Sequence, residues 1–147
     1  AMSYSPMRMV LDTDGVGAAM GSPAGASAGL VEAALDRRLT LLANVALVLE
    51  CEAVCLRDDH LQAAGLDAGA GLAFVEALAA LAEPVASHFV WRPQLRDPSD
   101  EMVLEAAVNG RADGIVTFNR RDFGAAPARF GIAVWLPRDA FRKVNKP

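Results

Sequence analysis

The side chains in this sequence best equipped for chemistry are carboxylates, and they stand in separated groups. Asp12 and Asp14 lie in Val10-Leu11-Asp12-Thr13-Asp14, and Glu50 lies in the apolar stretch Leu47-Val48-Leu49-Glu50-Cys51. Asp97 and Asp100 lie in Arg96-Asp97-Pro98-Ser99-Asp100, and Asp122 follows Asn119-Arg120-Arg121. Carboxylate oxygens are hard donors suited to Mg²⁺ or Mn²⁺. A cation held by such a group lowers the pKa of bound water and stabilises charge on a phosphate in flight. Glu50 points the same way, because a carboxylate among apolar neighbours is costly if buried unpaired and a metal ion would remove that cost. Each residue also has a purely structural role. Asp97 before Pro98 is a good N-cap with Pro at N1, and Asp100 then falls at N3. Asn119 and Asp122 repeat that pattern, Asp12 can form a turn, and Glu50 can be a solvated helix residue. Caps account for helix starts, but not for acids gathering at one edge of a sheet.

The elements that would gather them follow from periodicity. Met7 to Leu11 is a short apolar run ending in Asp12 and reads as a buried strand. Residues 13–26 hold Gly15, Gly17, Gly21, Pro23 and Gly25 among small residues and read as a loop. Ser27 to Arg38 places Leu30, Val31, Ala34 and Leu35 at helical spacing, with basic residues at its end. Leu39 to Ala43 reads as a strand. Val45 to Leu56 reads as a helix with Leu47, Val48, Cys51, Val54 and Cys55 on one stripe. Ala70 to Leu81 is a further helix stopped by Glu83-Pro84, and Val85 to Val90 a further strand. Asp97-Pro98 opens a helix through Val108 that ends near Asn109-Gly110. Gly114 to Phe118 and Ile132 to Leu136 are strands, and Pro137 begins a short terminal helix. Such alternation predicts an α/β domain with a mainly parallel sheet covered on both faces. Sites in these sheets lie beyond the carboxyl ends of the strands, which is where Asp12, Asp97, Asp100, Asn119 and Asp122 fall.

Composition narrows the function classes. A chain of 147 residues suits one domain, with 1–6 as a tail and 7–147 as the folded unit. Ala1 ahead of Met2 reads as an appended residue, with a native start at Met2 or Met7. The net charge of −4 lacks the basic signature of proteins that hold nucleic acid mainly by phosphate neutralisation, yet suits clustered carboxylates. Cys51 and Cys55 suggest no disulfide framework, so a reducing, cytoplasmic setting is expected. No signal peptide or membrane span is expected, since charged residues interrupt every apolar run. The pair with His60 could suggest a soft-metal site, but two Cys on an apolar stripe more often pack, and His60 and His88 have no matching ligand spacing. Gly15, Gly17 and Gly21 match neither a P-loop nor a dinucleotide fingerprint. No helix-turn-helix with a basic recognition helix is present to bind DNA.

Two family resemblances follow from these residues. Val10-Leu11-Asp12-Thr13-Asp14-Gly15-Val16 looks like the first motif of haloacid-dehalogenase-type phosphatases, in which the first Asp is a nucleophile and the second an acid/base. That family also needs a later Ser/Thr, which Thr117 could supply, then a Lys and an acidic pair. The only lysines after Thr117 are Lys143 and Lys146, with no acidic pair beyond them, so the order cannot be completed.

The fuller resemblance is to PIN-domain proteins that serve as toxins of bacterial type II toxin–antitoxin pairs. It runs from about Met9 to Phe141. VLDTD is similar to the family's opening motif, LVLECEAV to its Glu-bearing second motif, and GIAVWLPRDAF to its last strand and short helix. The most specific part is WRPQLRDPSDEMVLEAAVNGRADGIVTFNRRDF. The resemblance implies a three-layer α/β/α fold and a ribonuclease using Mg²⁺ or Mn²⁺, with Asp12, Glu50 and Asp100 as the catalytic, metal-holding acids. The family's fourth acid follows the Thr of "VT" by two residues, where this chain has Asn119. Asp122 can reach the same face of a helical turn, and Asp14 stands where the family usually has Asn. Arg92, Arg96, Arg120 and Arg121 flank the acids in sequence and are candidates for RNA phosphate contacts. A small antitoxin and a second copy of the chain, docked through Ala- and Leu-rich helices such as Ala70–Leu81, are the expected partners. The alternative reading is a catalytically attenuated PIN scaffold that acts as a binding protein, because Asn119 replaces an acid.

Overall fold

The computed structural model describes residues 5–86 and 93–145. Its sheet is built around β1 (Met7–Leu11), whose Met9 and Val10 are both fully buried. Adjacent residues on a strand face opposite sides, so burial of both requires cover on both faces. β2 (Leu39–Ala43) lies beside β1 with Met7 opposite Leu39. β4 (Gly114–Val116) takes the other side, with Leu11 opposite Val116. β3 (Glu83–Pro84) and β5 (Ala133–Trp135) complete the order β3-β2-β1-β4-β5, and every described pairing is parallel. The chain therefore steps outward from β1 to β3, then returns to β4 on the opposite flank. This topological switch opens a crevice at the carboxyl ends of β1 and β4, where an α/β sheet hosts its site.

Eight helices connect the described strands and form the outer layers of a three-layer α/β/α fold. α2 (Ala26–Leu35), α3 (Val45–Cys55), α5 (Ala68–Leu81), α6 (Pro98–Asn109) and α8 (Pro137–Val144) fall where periodicity places them. Leu30, Val75, Val103, Leu104 and Ala107 from these helices join Met9, Val10, Leu42, Ile115 and Phe123 in one core.

The expected loop over residues 13–26 is instead largely helical, as α1 (Thr13–Gly21). Gly15 and Gly17 serve contact and not turning. A Cβ on Gly15 would stand 2.5 Å from Leu11 Cδ1, and one on Gly17 would stand 3.3 Å from His60 Nδ1. Close approach to Leu11 at the end of β1 fixes Gly15 and close approach to His60 fixes Gly17, and that cue looks identical to flexibility in a sequence. α4 (Asp58–Ala64) and α7 (Ala126–Arg129) are short helices that periodicity did not separate from loops. α4 ends at Gly65, whose φ of +68° is the left-handed conformation that glycine adopts freely. The strand expected over Val85–Val90 begins earlier, at Glu83. Val85 N still donates to Ala43 O at 2.9 Å, and residues 87–90 lie outside the described residues. No single described helix is long and apolar enough to cross a membrane.

β4 pairs with β5 closely enough that Gly114 lies against the Trp135 ring, where a Cβ would fall 2.3 Å from Cζ3. Gly114→Ala must displace that ring. It should lower unfolding free energy by about 1–3 kcal/mol, as overpacking does, read from the midpoint of a urea titration. An unchanged midpoint would show that the strand and ring part freely.

Candidate active site

Asp12 is the first residue after β1, and its backbone N–H still donates to Val116 O of β4 at 2.9 Å. It caps α1 by accepting from Thr13 N at 2.8 Å. Its other oxygen accepts from Thr117 Oγ1, also at 2.8 Å. Asp12 is 7% exposed and Thr117 fully buried, so this is a carboxylate held inside the crevice and not a turn at the surface. Thr117 follows β4 and is anchored by its N–H to Trp135 O of β5. The two groups thus meet because β1 and β4 are neighbours.

Asp14 lies in the first turn of α1 and reaches the same place. Its Oδ2 accepts from Phe118 N at 3.0 Å and Asn119 Nδ2 at 3.1 Å, and lies 3.2 Å from Thr117 Oγ1. Its Oδ1 is buried and has no hydrogen-bond partner. Asn119 therefore does not cap the following 3-10 turn, Arg120–Phe123, with its side chain; it donates to Asp14. Asp97 does cap, accepting from Ser99 N at 2.8 Å, and this orients the start of α6 with Asp100 in its first turn. Glu50 comes from α3, where Ser99 Oγ lies 3.5 Å from its Oε1, the outer limit for a hydrogen bond. α3 is itself fixed by Asn44, which accepts from Leu47 N at 2.8 Å and donates to Met102 O of α6 at 3.2 Å. Asp122 stands in the 3-10 turn and lines a cleft with Asp97, Asp100, Arg96 and Arg121. Arg120 lies in an adjoining groove, and Arg92 lies outside the described residues, as does His88. Cys51 and Cys55 are buried and free, with the Cys51 thiol pushed up to about 12, first by burial.

The acids repel one another. Burial first, and then the charge of Asp14, raises the Asp12 carboxyl above the ordinary range, against hydrogen bonds from Thr117 and Thr13. Burial also raises Asp14. Asp100 is pushed up to about 6 by burial and then by Asp12, Asp97, Asp122 and Asp14. Among the described residues none of these acids forms a salt bridge, although Arg96 and Arg121 line the same cleft.

The donors fit a hard divalent cation in chemistry: several carboxylates, one with a buried and unpartnered oxygen. Among the described residues no group of three or more His, Cys, Asp or Glu side chains is placed to hold a metal ion. Mg²⁺ does not require one, because it is usually held by one or two carboxylates and keeps several waters. Sequence reasoning missed Thr117 as a partner of Asp12 and missed Asn44. Asn44 had a visible signal, as an Asn directly before a helical stripe. Thr117 had none beyond its place at a strand end.

Because Asp100 protonates more readily in the folded chain than in the unfolded one, the folded state binds more protons up to about pH 6. Stability from this group is therefore present at low pH and lost as pH rises. In chelator, the melting temperature should fall between the ordinary Asp range near ~4 and about 6, and Asp100→Asn should flatten that fall. A variant that keeps the full slope would place the repulsion elsewhere.

No curated protein and no solved structure matches this chain. A family comparison matches residues 8–121, from the second residue of β1 through the segments that carry Asp12 and Asp14, Glu50, and Asp97 and Asp100, and stops just short of Asp122. Proteins of that family are typically nucleases and usually use divalent metal ions, which agrees with buried carboxylates at a sheet's switch point. With the match covering most of the chain and the parallel sheet in place, the protein belongs to the PIN domain family.

Proposed function

We propose that this chain is a Mg²⁺- or Mn²⁺-dependent endoribonuclease and the toxin of a toxin–antitoxin pair. The observation that carries the nuclease reading is the Asp12–Thr117–Asp14 cluster with Asp100 beside it. Mutually repelling carboxylates without basic partners are unfavourable unless a cation joins them. Asp12, Glu50 and Asp100 are the acids we assign to the metal, with Asp14 contributing its free Oδ1 and Asp122 and Asn119 acting from the rim. A divalent cation bound there would supply Lewis acidity and a more acidic water. The chain's own groups do the rest. Thr117 and the first turn of α1 fix the two Asp12 oxygens, and Asp97 fixes the helix start that carries Asp100. Arg96 and Arg121 line the same cleft and can meet phosphate oxygens. The preference for RNA, a small antitoxin as partner and a cytoplasmic setting rest on the family resemblance. A homodimer would have an apolar face available on α3, where Val45 and Leu49 are 76% and 60% exposed one turn apart.

Purified protein should cleave single-stranded RNA with Mn²⁺ or Mg²⁺ and stop on chelation. Asp12→Asn and Asp100→Asn should each lose several kcal/mol of transition-state stabilisation, about 100-fold or more in rate. Full activity in either variant would refute the assignment.

The alternative, an attenuated scaffold, has one specific motive: Asn119 is neutral. Its amide donates to Asp14, so this pair still carries one negative charge. Calorimetric Mn²⁺ titration separates the readings. Asp14→Asn should weaken binding roughly 10-fold or more if Asp14 supplies that charge. Asp122→Ala should weaken binding less than Asp14→Asn. Absence of any Mn²⁺-induced rise in melting temperature in the parent protein would favour the scaffold.

A further inference from the structure

Beside the acidic cleft lies a second depression that the proposed reaction does not use. Its lining includes Ser22, Gly25, Ser27, Phe118, Pro137 and Arg138. Two helices begin there. Phe141 of α8 packs on Gly29 of α2, where a Cβ would fall 2.5 Å from its ring, so the first turns of the two helices stand side by side. Neither has a side-chain cap: the N-cap residues are Gly25 and Leu136, and neither side chain accepts a bond from its helix. The first N–H groups of α2 therefore lack an intrahelical or capping acceptor, at the end of the helix that carries partial positive charge. Ser27, in that first turn, is 3% exposed, and its Oγ has no hydrogen-bond partner. A buried hydroxyl left unsatisfied costs stability unless something else bonds it. Arg138 adds a full positive charge. Its side chain is 71% exposed and 4.0 Å from Asp139, a loose pairing that leaves the guanidinium free to reach a second anion.

Phe118 ties this depression to the acids. It is 50% exposed, an unusual place for a phenyl ring, and it lines both this depression and the groove holding Arg120 and Arg121. Its own N–H donates to Asp14. The depression lies at the far end of α1 from Asp12, about 13 Å away at the rise of a nine-residue helix. We infer that the α2 N-terminus, Ser27 and Arg138 form a subsite for a backbone phosphate of single-stranded RNA, and that Phe118 stacks a base between that subsite and the acidic cleft. An anion suits the helix start, the orphan hydroxyl and the guanidinium together, and an exposed ring beside arginines is how single strands are held without sequence readout. The inference rests on the nuclease reading for the identity of the strand, but its test does not need cleavage.

The test is fluorescence-anisotropy binding of a 5′-labelled single-stranded RNA octamer of mixed sequence, in chelator, so that no strand is cut. Phe118→Ala should weaken binding roughly 5- to 100-fold, and Phe118→Trp should retain it. Ser27→Ala should weaken binding roughly 3- to 10-fold without lowering the melting temperature, since it removes an unsatisfied hydroxyl from the free protein. Arg138→Ala should lower the slope of log affinity against log salt by about 0.7. Inorganic phosphate should compete with RNA for the parent protein and not for Ser27→Ala. Parent-like affinity in Phe118→Ala and Ser27→Ala, or no measurable RNA binding by the parent, overturns the inference. If these variants lose RNA while the parent never cleaves it, the subsite stands and the nuclease reading falls. If the parent cleaves and the variants bind as it does, only the subsite falls.

Discussion

The structure turns on one buried carboxylate. Asp12 sits where β1 ends, nearly sealed from water, and an unpaired charge there would be costly. Three features offset that cost. The N-terminus of α1 points its first N–H at one oxygen, the helix dipole favours negative charge, and Thr117 donates to the other oxygen from the neighbouring strand. Each requires a specific piece of fold. α1 must start immediately after β1, which needs Gly15 to let the helix lie against Leu11. β4 must adjoin β1, which the return crossover at the switch point provides.

Helix capping and chemistry are often set against each other as explanations for an acid at a helix start. Here they are one arrangement. Asp12 caps α1, Asn44 caps α3 and Asp97 caps α6, and each cap sets the direction of a helix that carries a candidate acid: Asp14, Glu50 and Asp100 respectively. Side chains that complete the backbone hydrogen bonds of the first turns also bring Asp14 and Asp100 near Asp12, while Glu50 reaches Ser99 at the start of α6. The acids can therefore gather without basic partners because helix N-termini supply diffuse positive charge nearby. That relief is partial: Asp100 remains pushed up to about 6.

Strands and long helices were legible in the sequence because burial on both faces writes continuous apolar runs into strands such as Met7–Leu11, and one-sided burial writes stripes into helices such as Val45–Cys55. The acids were legible by type and by their place at element ends. Residues 13–26 were misread because glycine carries two opposite messages, turning and close packing, and a sequence does not say which neighbour approaches. Asn119 was read as a cap because its spacing to Asp122 fits one. Its actual partner, Asp14, is 105 residues away and is brought near only by the β1–β4 pairing. Local pattern predicts local bonds, as at the Asn44 cap; Thr117 and Asn119 work across elements and leave little local trace.

The acidic balance of the chain bears on how it could meet a polyanion. A net charge of −4 gives no long-range attraction to RNA, and at physiological salt such attraction would be screened beyond about 8 Å in any case. Recognition would have to be local. The molecule has separate positive features that could serve this: Arg96 and Arg121 in the acidic cleft, Arg120 in the adjoining groove, and Arg138 with two uncapped helix starts beyond Phe118. Negative charge concentrated at the centre would repel phosphate, and a cation bound there would offset part of that charge, which would couple metal occupancy to strand binding. The uncapped helix starts stand towards the far end of α1 from Asp12 and would feel less of that repulsion than Arg96 and Arg121, which share the cleft with the acids.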